Sequence, residues 1–362
     1  MDLNVAIEEG LEQDDEASLQ SLKEAATAIR SELSRVIVGQ TNVVDELLIG
    51  LFARGHCLLV GVPGLAKTLL VRTLAQCLSL DYSRIQFTPD LMPSDITGTE
   101  VIQEDRRTGE REFRFVRGPV FANIILADEI NRAPPKTQAA LLEAMQEQQV
   151  TAAGRRHGLP SPFFVLATQN PLEHEGTYPL PEAQLDRFMF QIKVGYPTEE
   201  EELEIVRRTT ADVAPMASPT INGETILRLM RVVRRIPTPQ SVAQYAIRLV
   251  RRTRREEADA PEFIKHFLEW GAGPRASQYL VLAGKARAAI AGRLVVEEGD
   301  IQAAALPVLR HRLKLSFSAD AEGHDADKLI QRLIDETPGI LHGQRLPGPA
   351  AQMLRSTAVG KT

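Results

Sequence analysis

The sequence predicts an α/β fold, with a parallel sheet between helices, followed by a second, all-α domain. Two observations predict it. From residue 57 to residue 194 short apolar runs alternate with helical stretches, and beyond Tyr196-Pro197 the hydrophobic period is almost entirely helical. Continuous apolar strands indicate a parallel sheet that helices cover on both faces. A chain of 362 residues is also long enough for two domains.

The chain divides into four predicted segments. Residues 1–16 form an acidic N-terminal tail, 17–197 the α/β domain, 198–338 the helical domain, and 339–362 a loosely ordered C-terminal tail. The α/β domain opens with an amphipathic helix at 17–35 and a second helix at 41–53. In the first helix the apolar residues recur at helical spacing, at Leu19, Leu22, Ala26, Ile29 and Leu33.

Five apolar runs are the candidate strands, at 57–60, 84–87, 124–127, 163–168 and 188–194, with helices at 67–80 and 135–148. Two further segments, 98–115 and 149–160, have β-favouring residues around a turn, and we predict that they are inserted hairpins. Charges mark their tips, at Arg106-Arg107 and Arg155-Arg156. Helices of the second domain are predicted near 199–210, 223–235, 240–255, 261–269, 274–291 and 299–311.

Composition and charge exclude several classes of protein. The net charge of −6 lacks the broad basic footprint of nucleic-acid-binding proteins, so we do not expect a nucleic-acid partner. No membrane span is predicted, and the acidic start lacks the features of a signal peptide. A cytoplasmic location is therefore expected. Cys57 and Cys77 lie among apolar residues and are expected to be buried thiols rather than a disulfide or a metal pair.

A candidate phosphate-binding loop follows the first strand, with the sequence Gly61-Val62-Pro63-Gly64-Leu65-Ala66-Lys67-Thr68 and then Leu69. It matches the consensus G-x-x-x-x-G-K-[ST], except that Ala66 replaces the second glycine. The loop can still act if Ala66 has a negative φ or room for its methyl group. Its N–H groups would bind ATP phosphates, Lys67 would bridge the β- and γ-phosphates, and Thr68 would ligate Mg²⁺. The alternative is a glycine-rich turn without a ligand.

An acidic pair follows the strand at 124–127. Asp128 would hold the Mg²⁺ shell, and Glu129 would act as general base by polarising the attacking water. The alternative interpretation is a cap of the helix at 135–148. The order of strand, loop, helix and acidic strand favours a P-loop protein that hydrolyses ATP.

Longer motifs identify a family. Glu129 continues into Ile130-Asn131-Arg132-Ala133-Pro134-Pro135-Lys136-Thr137-Gln138, and a later strand ends in Ala167-Thr168-Gln169-Asn170-Pro171. The segment Thr177-Tyr178-Pro179-Leu180-Pro181-Glu182-Ala183 then leads to Leu185-Asp186-Arg187-Phe188. In these motifs the sequence resembles the MoxR family of AAA+ ATPases, over residues 36–315. The alanine at position 66 is typical of that family.

The resemblance implies roles for residues outside the P-loop. Asn170 matches the sensor-1 residue, which orients the water and lies between the strands of the P-loop and the acidic pair. Arg187 matches the arginine finger, which reaches the γ-phosphate of a neighbouring subunit. The simpler alternatives are an Asx turn at Asn170 and a surface ion pair between Arg187 and Asp186.

Two more matches are less direct. Arg275 matches sensor 2 on the helical lid, where the alternative is an ordinary arginine in the first turn of a helix. Gly39-Gln40 resembles the segment that packs on the adenine. The two hairpins match inserts that line the pore of a ring and touch the client protein, although charged tips are also common on solvated loops.

The resemblance also implies a function. Such proteins form rings, expected here to be homo-hexamers, and use ATP and Mg²⁺ to mature or activate other protein complexes as chaperone-like remodellers. They often work with a von Willebrand factor A domain partner. Three alternatives stay open: the ATPase motor subunit of a magnesium chelatase, which shares the hairpins; a nucleic-acid translocase, which the acidic balance disfavours; and a scaffold that binds ATP without turnover, which the Asp128-Glu129 pair disfavours.

Overall fold

A computed structural model of the chain describes residues 13–104, 111–152, 154–173, 176–212 and 215–339. The predicted acidic tail at 1–16 lies outside the described residues except for the start of the first helix. The predicted C-terminal tail beyond residue 339 and the hairpin tip Arg106-Arg107 also lie outside them. No helix in the described part of the chain is long and apolar enough to cross a membrane.

Helices and strands alternate in the first part of the chain, as the hydrophobic pattern predicts. The order is α1 (Gln13–Val36), α2 (Thr41–Phe52), β1 (Cys57–Val60), α3 (Lys67–Cys77), β2 (Tyr82–Gln86), α4 (Pro93–Thr97), β3 (Gly98–Glu104), β4 (Arg111–Arg117), β5 (Ile124–Asp128), α5 (Pro135–Glu147), β6 (Gln149–Ala152), β7 (Arg155–Gly158), β8 (Phe164–Gln169), α6 (Glu182–Leu185) and β9 (Phe190–Lys193). The strand predicted from residue 188 begins two residues later. The short helix α4 was not predicted, because one turn shows no hydrophobic period.

Five of these strands form one parallel sheet, in the order β2-β5-β8-β1-β9. Alternate residues pack on opposite faces. Leu59 and Leu166 join the core cluster that contains α1, α2 and α3, whereas Leu58 and Val165 join the cluster that contains α5. Burial on both faces explains why the strands are continuous apolar runs. Cys57 is buried in this core as a free thiol, and so is the other cysteine of the chain, as predicted.

Both predicted hairpins are antiparallel ribbons, in which β3 pairs with β4 and β6 with β7. The rings of Phe115 and His157 stack with centroids 4.1 Å apart, so the two ribbons contact each other. The first ribbon also exposes apolar side chains that the sequence analysis did not single out. Ile102 and Phe113 lie directly opposite each other in the register and are 62% and 69% exposed.

The second part of the chain is helical, as predicted, with three additions. It contains α7 (Glu199–Thr209), α8 (Gly223–Arg235), α9 (Gln240–Arg251), α10 (Glu262–Phe267), β10 (Leu268–Trp270), α11 (Pro274–Ile290), α12 (Glu298–Leu309), β11 (Lys314–Leu315), α13 (Phe317–Ala321) and α14 (Ala326–Glu336). The additions are an antiparallel ribbon of β10 and β11 and the two helices α13 and α14, which follow the last predicted helix. The helix predicted at 261–269 therefore ends early, because its last residues belong to β10. Strands of two or three residues carry no periodic signal.

The helical part shares a core with the sheet. Leu22 of α1 lies in the same buried cluster as Leu229 of α8 and Leu280 of α11. Next to this junction, a cavity of about 540 Å³ lies between α2, β9, α11, α12 and α14, and Glu46 lines it. Burial raises the pKa of the Glu46 carboxyl from 4.5 to about 7, an effect that the nearby charge of Arg310 opposes.

Glu46→Gln should stabilise the protein at pH 8 and have little effect near pH 4.5. The folded state holds a proton on Glu46 more tightly than the unfolded chain does, so stability falls as pH rises from 4.5 to about 7. Because one pKa unit corresponds to about 1.4 kcal/mol, the cost of ionisation above pH 7 is on the order of 3 kcal/mol. Thermal unfolding of both proteins across this pH range measures the difference. The exposed Glu143→Gln change is the control, and equal shifts at all pH values would contradict the prediction.

Candidate active site

The phosphate-binding loop connects β1 to α3 and has an unusual backbone. Gly64 has φ 86° and Ala66 has φ 55°. The first condition given above for Ala66, a negative φ, is therefore not met. The second condition holds, because Ala66 is exposed and its methyl group has room. A left-handed conformation costs an L-residue about 1–2 kcal/mol. Ala66, the N-cap residue of α3, has no side chain that could accept a hydrogen bond, so it leaves the first N–H groups of the helix to an anion.

The loop forms one side of a cavity of about 400 Å³. The other residues that line it are Asp128, Glu129, Thr168 and Asn170. The structure therefore brings together the loop from Pro63 to Leu69, the acidic pair and the predicted sensor residue. They meet because β5, β8 and β1 are adjacent parallel strands, whose carboxyl ends lie at one edge of the sheet. Asn170 lies after the strand between the other two, as the resemblance implies.

Lys67 reaches back over the loop. Its Nζ donates hydrogen bonds to the carbonyl oxygens of Gly61, at 2.6 Å, and Val62, at 2.8 Å. Burial lowers the pKa of Lys67, and the charges of Asp128 and Glu129 oppose that shift. The ammonium group therefore lies at the loop beside the cavity. Phosphate oxygens can replace the two carbonyl oxygens as acceptors of its hydrogen bonds.

Thr168 links the two acidic residues, a role that the sequence analysis missed. Its Oγ1 donates to Asp128 Oδ1 at 2.6 Å and accepts a hydrogen bond from the backbone N–H of Glu129 at 2.8 Å. Glu129 has φ 56°, so the backbone turns sharply directly after the strand. The only sequence signal for Thr168 was a polar residue near the end of an otherwise apolar strand.

Arg84, Gln86 and Arg132 are further neighbours of the acidic pair. Arg84 Nη2 donates to Asp128 Oδ2 at 2.7 Å, and Gln86 Nε2 donates to Glu129 Oε2 at 2.8 Å. Arg132 Nη1 donates to the same Glu129 oxygen at 3.0 Å. Arg84 and Gln86 lie on the same side of β2, which pairs with β5. The sequence shows that Arg84 and Gln86 occupy alternate positions, but it does not show that β5 is the strand beside them.

The donor chemistry fits Mg²⁺. Thr68 and Asp128 both line the cavity and offer oxygen atoms, which Mg²⁺ prefers as ligands. A carboxylate has about four acceptor positions, and Asp128 uses three of them for Arg84 and Thr168. A metal bound there, directly or through water, would neutralise phosphate charge during hydrolysis.

Asn170 uses both ends of its side-chain amide within its own segment. Its Oδ1 accepts a hydrogen bond from the N–H of Leu172 at 3.1 Å, which is the predicted Asx turn. Its Nδ2 donates to Glu173 Oε1 at 2.7 Å. The residue also lines the cavity, and the sensor-1 role that the resemblance implies stays a prediction.

The remaining predicted residues are not at this cavity. Arg187 lies between α6 and β9, and the alternative of an ion pair with Asp186 is wrong. Asp186 is bound instead by Arg275 Nη1, at 3.0 Å, and by Arg312 Nε, at 2.8 Å. Arg275 thus contacts the segment before β9 rather than the phosphate loop of its own chain.

The segment expected at the adenine also has a structural role. Gly39 and Gln40 both have positive φ values, and Gln40 Nε2 donates to the carbonyl oxygen of Gly195 at 3.0 Å. A side chain at Gly39 would be strained at φ 65° and would require the carboxylate of Glu201 to move. Neither residue lines the cavity beside the loop.

The loop, the acidic pair and the parallel sheet define a P-loop nucleoside triphosphatase with a helical lid. Comparisons with known proteins make this specific. The family described as "ATPase family associated with various cellular activities (AAA)" matches residues 56–190, and the AAA lid domain matches residues 262–333. Chaperone MoxR1 of Mycobacterium tuberculosis is 46% identical over 84% of this chain and 79% of its own length.

Two further similarities extend over most of the chain. Protein MoxR of Paracoccus denitrificans is 32% identical over 84% of this chain and 91% of its own. The crystal structure of a presumed ATPase from Cytophaga hutchinsonii has a TM-score of 0.83 and 41% identity, covering 90% of this chain and 98% of that one. This chain belongs to the MoxR family of AAA+ ATPases, and it is a chaperone-like enzyme that hydrolyses ATP.

Two substitutions should separate ATP binding from hydrolysis. Lys67→Ala should abolish nucleotide binding, because a charge on the phosphates and its hydrogen bonds are lost together. Glu129→Gln should bind ATP normally and hydrolyse it at least 100-fold more slowly, because only activation of the water is removed. Calorimetric titration and phosphate release measure the two steps. Glu143→Gln, on the exposed side of α5, is the matched control, and wild-type turnover by Glu129→Gln would remove Glu129 as the base.

Proposed function

We propose that this ATPase assembles into a homo-hexameric ring that remodels other protein complexes and so matures or activates them. Its partner is a von Willebrand factor A domain protein. Mg²⁺ bound at Thr68 and Asp128 accompanies ATP, and Asn170 orients the attacking water. Residues 17–197 are the motor and residues 198–338 its lid. The cytoplasmic location stays a prediction.

The observation that carries ring assembly is the location of Arg187. Its side chain makes no hydrogen bond or ion pair with any residue in the described ranges, and the neighbouring carboxylate of Asp186 is already occupied. It also does not line the phosphate cavity of its own chain. An arginine that is needed at a γ-phosphate but lies away from its own loop can serve the loop of a neighbouring subunit. A ring gives every loop such a neighbour.

The client-binding role rests on the first hairpin. Ile102 and Phe113 form an exposed cross-strand pair on one face of the β3–β4 ribbon, and Val101 and Val116 are exposed on the other face. Adjacent exposed apolar side chains are typical of a protein-contact surface rather than of a solvated ribbon. Contact between Phe115 and His157 joins this ribbon to the second hairpin, so both can respond to one client. The chaperone role of the Mycobacterium relative supports the same function.

Arg187→Ala should bind ATP almost normally and be nearly inactive alone. An arginine supplied by a neighbour contributes little to ATP binding and on the order of 10³-fold or more to the rate of phosphoryl transfer. Mixed with Lys67→Ala, which has an intact finger and an empty site, it should partly regain activity, because some interfaces then pair a competent site with a competent finger. Phosphate release from the mixture, after co-assembly is shown by cross-linking, measures the recovery.

The matched control for this experiment is Arg156→Ala, which removes an exposed arginine from the second hairpin. It should keep its basal activity without a mixing partner. No recovery in a co-assembled mixture would rule out a finger supplied by the neighbour. Full activity of Arg187→Ala alone would remove the residue from the mechanism.

Phe113→Ser should spare basal hydrolysis and lower its stimulation by partner and client, since the ribbon lies outside the phosphate cavity. The Glu129→Gln variant loaded with ATP can first be used to retain a purified A-domain protein. The retained protein is then added to the other variants, and the increase in their ATP hydrolysis is measured. Phe317→Ser, which changes an 87% exposed phenylalanine on α13, is the matched control. Deletion of residues 100–113 or 151–159 should act like Phe113→Ser.

The outcomes distinguish the alternative functions. Loss of nucleotide binding in both deletions would give the hairpins a structural role. Stimulation by porphyrin instead of the A-domain protein would indicate a magnesium chelatase motor. A salt-dependent effect of DNA on hydrolysis would indicate a translocase.

A further inference from the structure

The segment that carries Arg187 is held by the helical lid. The guanidinium of Arg312, which follows α12, donates to Asp186 Oδ1 at 2.8 Å, to the Asp186 carbonyl oxygen at 2.9 Å and to the Phe188 carbonyl oxygen at 2.5 Å. It also donates to the carbonyl oxygens of Met189, at 3.3 Å, and Val308. One buried side chain thus binds the residues on both sides of Arg187 and the end of α12.

A second contact comes from α11. Tyr279 Oη donates a hydrogen bond to the carbonyl oxygen of Arg187 itself at 3.1 Å. The Tyr279 ring also lies against Arg312, whose guanidinium carbon is 5.1 Å from the ring centre. Arg275, in the first turn of the same helix, holds the other oxygen of Asp186 at 3.0 Å. The backbone carbonyl of every residue from 186 to 189 is therefore bound either by Tyr279 of α11 or by Arg312, which follows α12.

These bonds fix the backbone and leave the Arg187 side chain without a partner among the described residues. The Arg312 side chain is 2% exposed, and burial lowers its pKa, with the charge of Asp186 opposing the shift. A buried guanidinium is tolerated only when its donors are satisfied, so the acceptors at 186–189 cannot leave without a large penalty. Any rotation of α11 or α12 must then carry the backbone of Arg187 with it.

We propose that Arg312 and Tyr279 are positioning residues, which set the direction of Arg187 and couple the lid of one subunit to ATP hydrolysis at the next. The inference rests on the proposed function, because it takes Arg187 as a finger for a neighbouring site. It adds that the lid controls the finger of its own chain. Neither residue touches the nucleotide in this scheme.

Tyr279→Phe is the first test, because it removes one hydroxyl and keeps the ring against Arg312. We expect a roughly fivefold fall in kcat, the effect of one hydrogen bond, with an unchanged KM for ATP. Tyr245→Phe is the matched control: Tyr245 is a buried lid tyrosine whose hydroxyl accepts a hydrogen bond from Gln302 and does not contact residues 186–189. An equal fall in both variants, or none in either, would overturn the proposal.

A mixing experiment locates the defect in one subunit. Arg187→Ala supplies sites, and Lys67→Ala supplies fingers. Adding Tyr279→Phe to the Lys67→Ala chain should lower the recovered activity by the factor that Tyr279→Phe causes alone. Adding it to the Arg187→Ala chain should change nothing, because that chain has no finger to position. A merely structural role would lower activity in both arrangements, and that result would overturn the proposal.

Arg312→Lys tests the larger contact, since lysine keeps the charge but cannot bind all of these acceptors at once. We expect a greater fall in kcat than for Tyr279→Phe, again with an unchanged KM. If this variant does not fold, the two Tyr279→Phe experiments still decide. Inactive Arg187→Ala with fully active Tyr279→Phe would overturn only the positioning role. Fully active Arg187→Ala would overturn the finger on which it rests.

Discussion

The parallel register of β5, β8 and β1 determines where this molecule can do chemistry. β8 lies between the other two strands, with Ala167 level with Ala127 on one side and Leu58 on the other. The residues that follow therefore meet at one edge of the sheet, around a single phosphate cavity. A shift of β8 by one residue would turn Thr168 away from Asp128, because alternate side chains of a strand face opposite sides. The hydrogen bonds of Thr168 depend on this register and fix the acidic pair beside the loop.

Charge compensation is the second constraint on the site. Asp128 and Glu129 are adjacent carboxylates, and Arg84 and Arg132 balance their repulsion. A metal ion that binds Asp128 must share its oxygen atoms with Arg84, and a phosphate that binds Lys67 must replace two loop carbonyl groups as its acceptor. Nucleotide binding therefore exchanges internal contacts for contacts with the ligand. The net gain from each contact is smaller than its strength in isolation, since both partners were already bonded.

Features that are formed by consecutive residues could be predicted from the sequence. The sheet strands are apolar runs, and the loop residues are consecutive. Ala66 was harder, because alanine rarely has a positive φ and only the structure shows that its methyl group is exposed. Contacts between strands could not be predicted. Arg84 and Gln86 contact the acidic pair because β2 lies beside β5, and the hydrophobic pattern of the sequence does not show the order of strands in the sheet. The β10–β11 ribbon was missed because it is too short to show alternation.

The same limit concealed the contacts that the lid makes around Arg187. In the sequence Asp186 is the obvious partner of Arg187, whereas in the structure it binds Arg275 and Arg312, 89 and 126 residues away. By occupying Asp186, the two lid arginines leave Arg187 without a competing carboxylate. If Arg187 is the finger proposed above, an ion pair with Asp186 would have to break before the side chain could contact a phosphate, and breaking it would raise the barrier to hydrolysis. The lid contacts therefore keep the Arg187 side chain available while they hold its backbone in place.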